Sequence, residues 1–343
     1  MSGHVHLVGS IGLDTVDEVF ETLGRLLGPH LRRVPDGEPG GRRLWISWQF
    51  PVLRANPYLA ADTTTHRPGG LGFHPIKLAD GVAPDEVRFG ELGYAREARA
   101  SYLDFVAARA KGVLPRSVRF QVSLPTPFAV IGPFCAPEAR QPILRAYEQA
   151  MLREVSSLCA AIPNENLAIQ WDVCIEMIMW DGNHPTIPGF AGMEKVFAET
   201  FARLAAAVPA TVELGFHLCY GDLDGKHFVQ PRDATKMVEL ANLIVASVKR
   251  PIQWIHMPVP IERTDDAFFA PLRGLTLSPD TELYLGLVHA GDGVAGTRKR
   301  MDVARKYVTD FGIASECGIA RARTPSVVRE ILEVHAGAAR SMA

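Results

Sequence analysis

Short β-rich apolar runs alternate with amphipathic stretches along the whole chain, and this alternation restricts the fold more than any other feature of the sequence. The runs His4–Val8, Leu31–Pro35, Val118–Ser123, Leu167–Val173, Val212–His217, Ile252–His256, Glu282–Val288 and Ile313–Glu316 read as strands. Asp14–Leu27, Pro137–Ala161, Met193–Ala207, Ala234–Val248, Thr297–Asp310 and Thr324–Ala339 read as the helices between them. Parallel strands need long, usually helical, crossovers, so strict alternation predicts a parallel sheet. Eight such units in 343 residues favour closure into a (β/α)8 TIM barrel over an open doubly wound sheet. The chain 1–343 is then a single domain.

The rhythm breaks once. Between the second and third strands, Asp36 to Ser117 form an insertion whose middle is rich in Pro and Gly and whose later part, Glu86–Lys111, reads as helix. Loops of that length are usually functional, which predicts a lid over the site or a contact in a homo-oligomer, with a tolerated surface insertion as the alternative. The run Trp45-Ile46-Ser47-Trp48-Gln49-Phe50 within it reads as a packed helix face.

Composition narrows the classes. The chain is 47% hydrophobic and 22% charged with a formal net charge of −2, which gives no electrostatic footprint for nucleic acid or anionic lipid. Basic clusters such as Arg298-Lys299-Arg300 read as solvated helix faces. No run of ~18 apolar residues is present to span a membrane, and the first ten residues lack the pattern of a secretory signal. Five cysteines, Cys135, Cys159, Cys174, Cys219 and Cys317, fit reduced thiols in a cytoplasm better than a disulfide framework. Cys135, Cys159 and Cys174 read as core.

In a barrel, the carboxyl ends of the strands and the loops after them carry the active site. Reactive residues gather there: Ser10, Glu38, Asp172 with Glu176, His217 and Cys219 with Tyr220, His256, His289, and Glu316 with Cys317. In His217-x-Cys219, residues two apart on a strand share a side, so both could face one metal ion; imidazole and thiolate are preferred zinc donors. Cys317 at another strand end makes a third donor. A buried histidine beside an inert cysteine accounts for the pair equally well. Gly291–Gly296 opens a helix but lacks the residues of a phosphate loop, so it reads as a glycine-rich turn.

The order of these motifs resembles the catalytic barrel of the cobalamin-independent methionine synthase family, within the superfamily that includes uroporphyrinogen decarboxylase. Val8-Gly9-Ser10-Ile11-Gly12 resembles the family's first strand, Asp36-Gly37-Glu38 its His-Gly-Glu, and Ile169-Gln170-Trp171-Asp172 its Ile-Gln-x-Asp. His217-Leu218-Cys219-Tyr220 is similar to its His-Met-Cys-Tyr, Leu287-Val288-His289 to its Asp-x-His, and Glu316-Cys317-Gly318-Ile319 to its Asp-Cys-Gly-Leu.

The resemblance implies a zinc-dependent methyltransferase, with His217, Cys219 and Cys317 as zinc ligands and a small-molecule thiol, such as a thiol amino acid, as acceptor. Ser10, Glu38 and Asp172 would hold the acceptor's carboxylate and ammonium groups, with Glu176 and Tyr220 beside them, and His289 would serve as acid and base. The sequence departs from the family in several places, among them Val173-Cys174 after Asp172 where the family has Glu-Pro, and two of the departures bear on the chemistry. The family's fourth zinc ligand, a glutamate on strand 6, is replaced by Trp254-Ile255-His256, so His256 is either the replacement ligand or a free acid–base group. The segment Leu124–Pro133 has no tryptophan to stack a folate, so the donor is methyl-folate or another small methyl compound. The alternative reading is a metal-independent lyase, decarboxylase or hydratase that uses Asp172, Glu176, His256 and His289 as acids and bases.

Overall fold

The computed structural model describes residues 4–64, 73–222 and 225–342. Among them, seven strands form one curled parallel sheet in the order β1-β4-β5-β6-β7-β8-β9. These are β1 Arg33–Pro35, β4 Arg119–Pro125, β5 Leu167–Val173, β6 Glu213–Leu218, β7 Trp254–Pro258, β8 Glu282–Val288 and β9 Gly312–Ser315. The short strands β2 Leu59–Ala61 and β3 Ile76–Leu78 pair antiparallel, away from the main sheet. Helices 16–27, 140–161, 193–206, 235–247, 293–304 and 325–339 follow the expected alternation. No helix among the described residues is long and apolar enough to cross a membrane.

The first predicted strand forms no continuous ladder. Its segment instead touches both edges of the sheet through isolated parallel bridges, Val5 to Leu31 and to Ile313, Ser10 to Gly37, and Ile11 to Ile319. His6 N–H donates to the Ile313 carbonyl at 2.9 Å, and Val5 N–H to that of His30 at 2.9 Å.

Strand register explains how the concave face is built. Side chains alternate along a strand, so β5 places Ala168, Gln170 and Asp172 on one side, and β6 places Glu213, Gly215 and His217 at the same levels, with Cys219 one step beyond. Register pairs Asp172 with His217 and His217 with His256 across β5, β6 and β7, making a row at one height. One layer below, the buried Trp254 ring needs Gly215, where a Cβ would come within 1.9 Å of it. Trp254 and His6 both bond to the Gln170 side-chain oxygen, at 3.1 and 2.8 Å. Gln170 in turn donates to the Val8 carbonyl and to Asp172. The sheet interior is therefore packed with satisfied polar groups beneath the reactive row.

The insertion has its own structure. Helix 94–110 lies within the predicted helical part. The tryptophan-rich run packs against the core through Trp45, Trp48 and Phe50 but is not one continuous helix. Trp45, at φ +56°, ends the 3₁₀ turn Gly40–Leu44, Ser47–Gln49 forms a second, and Phe50 opens the short helix Phe50–Arg54. Part of the Pro/Gly-rich middle, residues 65–72, lies outside the described residues. Arg300 also corrects the reading of its basic triplet. Arg298 and Lys299 are exposed, but Arg300 is fully buried and paired with Asp292.

Candidate metal and thiol site

At the carboxyl end of the sheet, Val8, Gly9 and Ser10, Glu38 and Trp45, Asp172 and Cys174, His217 and Cys219, and Cys317, Gly318 and Arg321 surround one cavity. A second cavity opens beside it and shares Glu38 and Trp45, with Asp36, Arg42, Tyr94 and Glu97 from the insertion in its wall. The insertion therefore lines the site from Asp36 to Ala98.

Three donors converge. The ligand atoms of His217, Cys219 and Cys317 lie within 4.8 Å of one another, and the two sulfurs are 3.5 Å apart. Behind them a chain of hydrogen bonds sets the histidine tautomers. His256 is fully buried, with Nε2 3.0 Å from the Ser315 carbonyl. A carbonyl only accepts, so His256 carries its proton on Nε2 and presents a lone pair at Nδ1. That atom lies 2.6 Å from His217 Nδ1, which must then donate. The remaining nitrogen, His217 Nε2, is left with a lone pair, is buried, and has no hydrogen-bond partner.

A buried nitrogen without a partner is costly, and this one accompanies two thiols on the same side. The donor set therefore fits a zinc ion bound by His217, Cys219 and Cys317. Burial, with His256 adjacent, holds the His217 pKa well below the ordinary value, so the imidazole is neutral, as a ligand must be. Contact with Cys174, then burial, pushes the Cys219 thiol well up, and contact with Cys219 does the same for Cys317. Both are thiols until a cation replaces their protons.

Two carboxyl groups, Glu38 and Asp172, line the same cavity. Burial, then the neighbouring Asp172, raises Glu38 to about 8. Burial raises Asp172 to about 7, against hydrogen bonds from Gln170 at 2.9 Å and from the Trp45 indole at 3.3 Å. Glu38 is held by a turn with φ +81° at Gly37 and +52° at Glu38, and a Cβ on Gly37 would meet Val19 at 2.7 Å. The pair keeps a proton near neutral pH and can release it to a cationic guest.

Of the residues singled out from sequence, the structure gathers Ser10, Glu38, Asp172, His217, Cys219 and Cys317 around one cavity. Others stand apart. His256 is not among the three clustered donors or the residues that line the two cavities, and it meets the cluster through His217. Tyr220 is fully buried and donates to Asp181 at 2.9 Å. Glu176, raised to about 7 by burial, lines a different cavity with Phe128, Arg140 and Phe190. His289 donates Nε2–H to the Val259 carbonyl at 2.9 Å and turns Nδ1 toward Glu316, 3.5 Å away. Burial pushes Glu316 up to about 8, which suits it to share a proton with that nitrogen.

Sequence reasoning missed Trp45, Cys174 and Arg321. Asp172-x-Cys174 has the same two-residue spacing as His217-x-Cys219 and carried the signal for the second. The others had none: Trp45 owes its place to a backbone turn, and Arg321 stands in a basic pair that looks solvated.

No family model matches the sequence, and no curated protein matches it. Solved structures do. A Listeria monocytogenes protein, provisionally named a vitamin-B12-independent methionine synthase, aligns with TM-score 0.60 over 98% of this chain and 96% of its own, at 13% identity. A B12-independent methionine synthase from Shewanella sp. W3-18-1, in complex with selenomethionine, aligns at 0.49 over 79% and 69%, with 15% identity. A Methanosarcina mazei methyltransferase aligns at 0.46 over 96% and 93%, with 11% identity. The Listeria protein thus shares its fold with this chain over nearly the whole length of both.

Proposed function

We propose that the protein is a zinc-dependent transferase that moves a methyl or other alkyl group to a small-molecule thiol. The observation that carries this reading is the buried, unpartnered His217 Nε2 facing two thiols inside a cavity. Residues 4–11 are read with it as the eighth position of a closed (β/α)8 barrel, which brings the strand ends into one mouth. Three protein ligands leave one tetrahedral position open, as catalytic zinc sites do and structural ones do not. Zinc bound there would lower the pKa of an incoming thiol and hold it as the nucleophilic thiolate.

The protein's own groups supply the rest. Glu38 and Asp172 accept an ammonium group by giving up their shared proton. The His289–Glu316 pair holds or delivers a proton at the rim, as general acid–base chemistry requires. Trp45 and the insertion wall off water on the side facing the carboxyls. A methylated folate, or another small methyl compound, is the donor.

A metal-free lyase or decarboxylase remains the second reading, because Glu38, Asp172 and Glu316 all hold protons near neutral pH. Metal analysis separates the two. Reduced protein purified without chelator should carry about one zinc per chain, and Cys219→Ser or Cys317→Ser should lose it. Zinc near zero in protein supplied with the metal would remove the transferase reading and leave the acid–base one.

A further inference from the structure

Glu176 lies outside the cysteine site, in surroundings that the chemistry there does not explain. It is 1% exposed, and among the described residues no hydrogen bond of ordinary geometry reaches either carboxyl oxygen. The Thr126 hydroxyl and the amide of Glu176 itself stand near enough to favour its ionised form, yet burial outweighs both and raises the carboxyl to about 7. No cation is among the groups that act on it. A buried carboxyl held in this way is costly.

Glu176 lines a cavity of about 310 Å³ that shares no lining residue with the two beside the cysteines. In an engineered apolar cavity about 150 Å³ is enough for benzene, so a ring fits. Phe128, Leu144 and Phe197 make an apolar wall, and Phe190 and Val196, 42% and 47% exposed, extend it to the surface. Large apolar side chains left exposed along a concave wall mark a ligand groove. The other charges there have partners. Arg203 donates to Glu148 at 2.8 and 3.2 Å, and Arg140 donates to the Cys135 carbonyl at 3.2 Å.

We propose that this cavity is a second ligand site, for a small ammonium compound with an apolar or aromatic body. The ammonium pairs with Glu176, and the body covers Phe190 and Val196. An ammonium suits the wall better than a neutral hydroxyl does. It brings three donors to two bare oxygens, it favours the ionised form that burial opposes, and aromatic rings attract it. Glu176 already lines the cavity, so a turn of its side chain brings the carboxyl to the occupant. Phe128 also packs against the group of Cys174, Ile175 and Cys219. The site therefore backs onto the cysteine cluster, and it stands under either reading of the reaction.

Calorimetric titration with 2-phenylethylamine and with 2-phenylethanol at neutral pH tests it, because the two differ only in the polar end group. The wild type should bind the amine on the order of ten- to a hundred-fold more tightly, the range of hydrogen bonds to a charged group. Glu176→Gln should bring the two affinities within about two-fold. Phe190→Ala, which trims an exposed side chain, should weaken both ligands by roughly three- to ten-fold. A wild type without binding, or without preference for the amine, overturns the proposal, as does a preference that survives Glu176→Gln. A preference lost in Glu38→Gln instead puts the ammonium at the cysteine cavity and overturns it too. Should Glu176→Gln fail to fold, Phe190→Ala decides: unchanged affinity for both ligands places them elsewhere and ends the proposal.

Discussion

His217 and His256 share one proton between their Nδ1 atoms, 2.6 Å apart and both fully buried. Because His256 spends its own proton on the Ser315 carbonyl, the contact works in one direction only: His217 donates, and its Nε2 is left bare. A metal-binding histidine ordinarily has such a partner for its other nitrogen. On the proposed zinc reading, His256 would orient His217 without itself being a ligand. Replacing it with phenylalanine keeps the volume but frees His217 to hold its proton on Nε2, so zinc affinity should fall about 10- to 100-fold. Competition against a chelator measures this, and nitrogen chemical shifts of His217 in metal-free protein report the tautomer directly. Unchanged affinity with an unchanged tautomer would show that the contact does not orient the ligand.

The carboxyl groups give the metal-free protein a pH dependence whose direction is fixed. Glu38 rises from an ordinary 4.5 to about 8 and Asp172 from 3.8 to about 7. A folded pKa above the unfolded one contributes stability that is full below the unfolded value and is lost as pH rises through the folded value. The buried histidines run the other way. His256 and His289 are depressed from 6.5 to about 3, so their contribution is complete above 6.5 and is lost as pH falls. From pH 6.5 to 8.5 the carboxyl groups therefore act alone among these residues, and the melting temperature should decline. Glu38→Gln should flatten the decline and exceed the wild type at the alkaline end. Parallel curves for the two proteins would sink the assignment.

A role for the insertion as a cover follows from its share of the walls, which runs from Asp36 and Glu38 through Trp45 to Tyr94 and Glu97. Trp45 is tied to Asp172 by a long 3.3 Å hydrogen bond and sits at a strained backbone angle, so its segment is built to shift when Asp172 changes partner. Amide exchange over residues 40–49 should slow when a thiol binds to zinc-loaded protein. Equal exchange with and without ligand would make the insertion a fixed wall.

Much of this was legible in the sequence because burial on both faces leaves a parallel strand little choice of composition. Leu167–Val173 and Glu282–Val288 were read to the residue. The first segment was not, since Val5, Ser10 and Ile11 make bridges too scattered to count as a ladder. Alternation located His217 and Cys219, and the same rule would have turned Tyr220 away from them toward Asp181. It would also have placed Cys174 beside Asp172. His256 was expected as a ligand or a free base; its place behind His217 depends on strand register, which no single strand displays. Arg321 and Arg300 were hidden for another reason. An arginine in a basic cluster looks solvated whether or not its neighbours in space desolvate it.

Arg300 offers a test of that last point. Its side chain is fully buried, with two bonds to Asp292 at 2.6 and 2.8 Å and further bonds to the carbonyls of Leu287 at 2.9 Å and Ile261 at 2.7 Å. These contacts join the end of β8, the loop after β7 and the glycine-rich turn before helix 293–304. Gly296 belongs to the same arrangement, because a Cβ there would lie 1.9 Å from the Asp292 carboxylate. The two partners differ in exposure: Asp292 is one-third exposed and Arg300 has no access to water. Asp292→Asn therefore strands a buried cation and should cost about 3–5 kcal/mol. Arg300→Met removes the cation, fills much of its volume and leaves a carboxylate that can reach water. Its cost should be about 1–3 kcal/mol, set by the two carbonyls left without a donor. Urea unfolding of both variants measures the order. If Arg300→Met is the more damaging, the arginine acts chiefly through its bonds to the carbonyls, and neutralising its charge matters less than the geometry suggests.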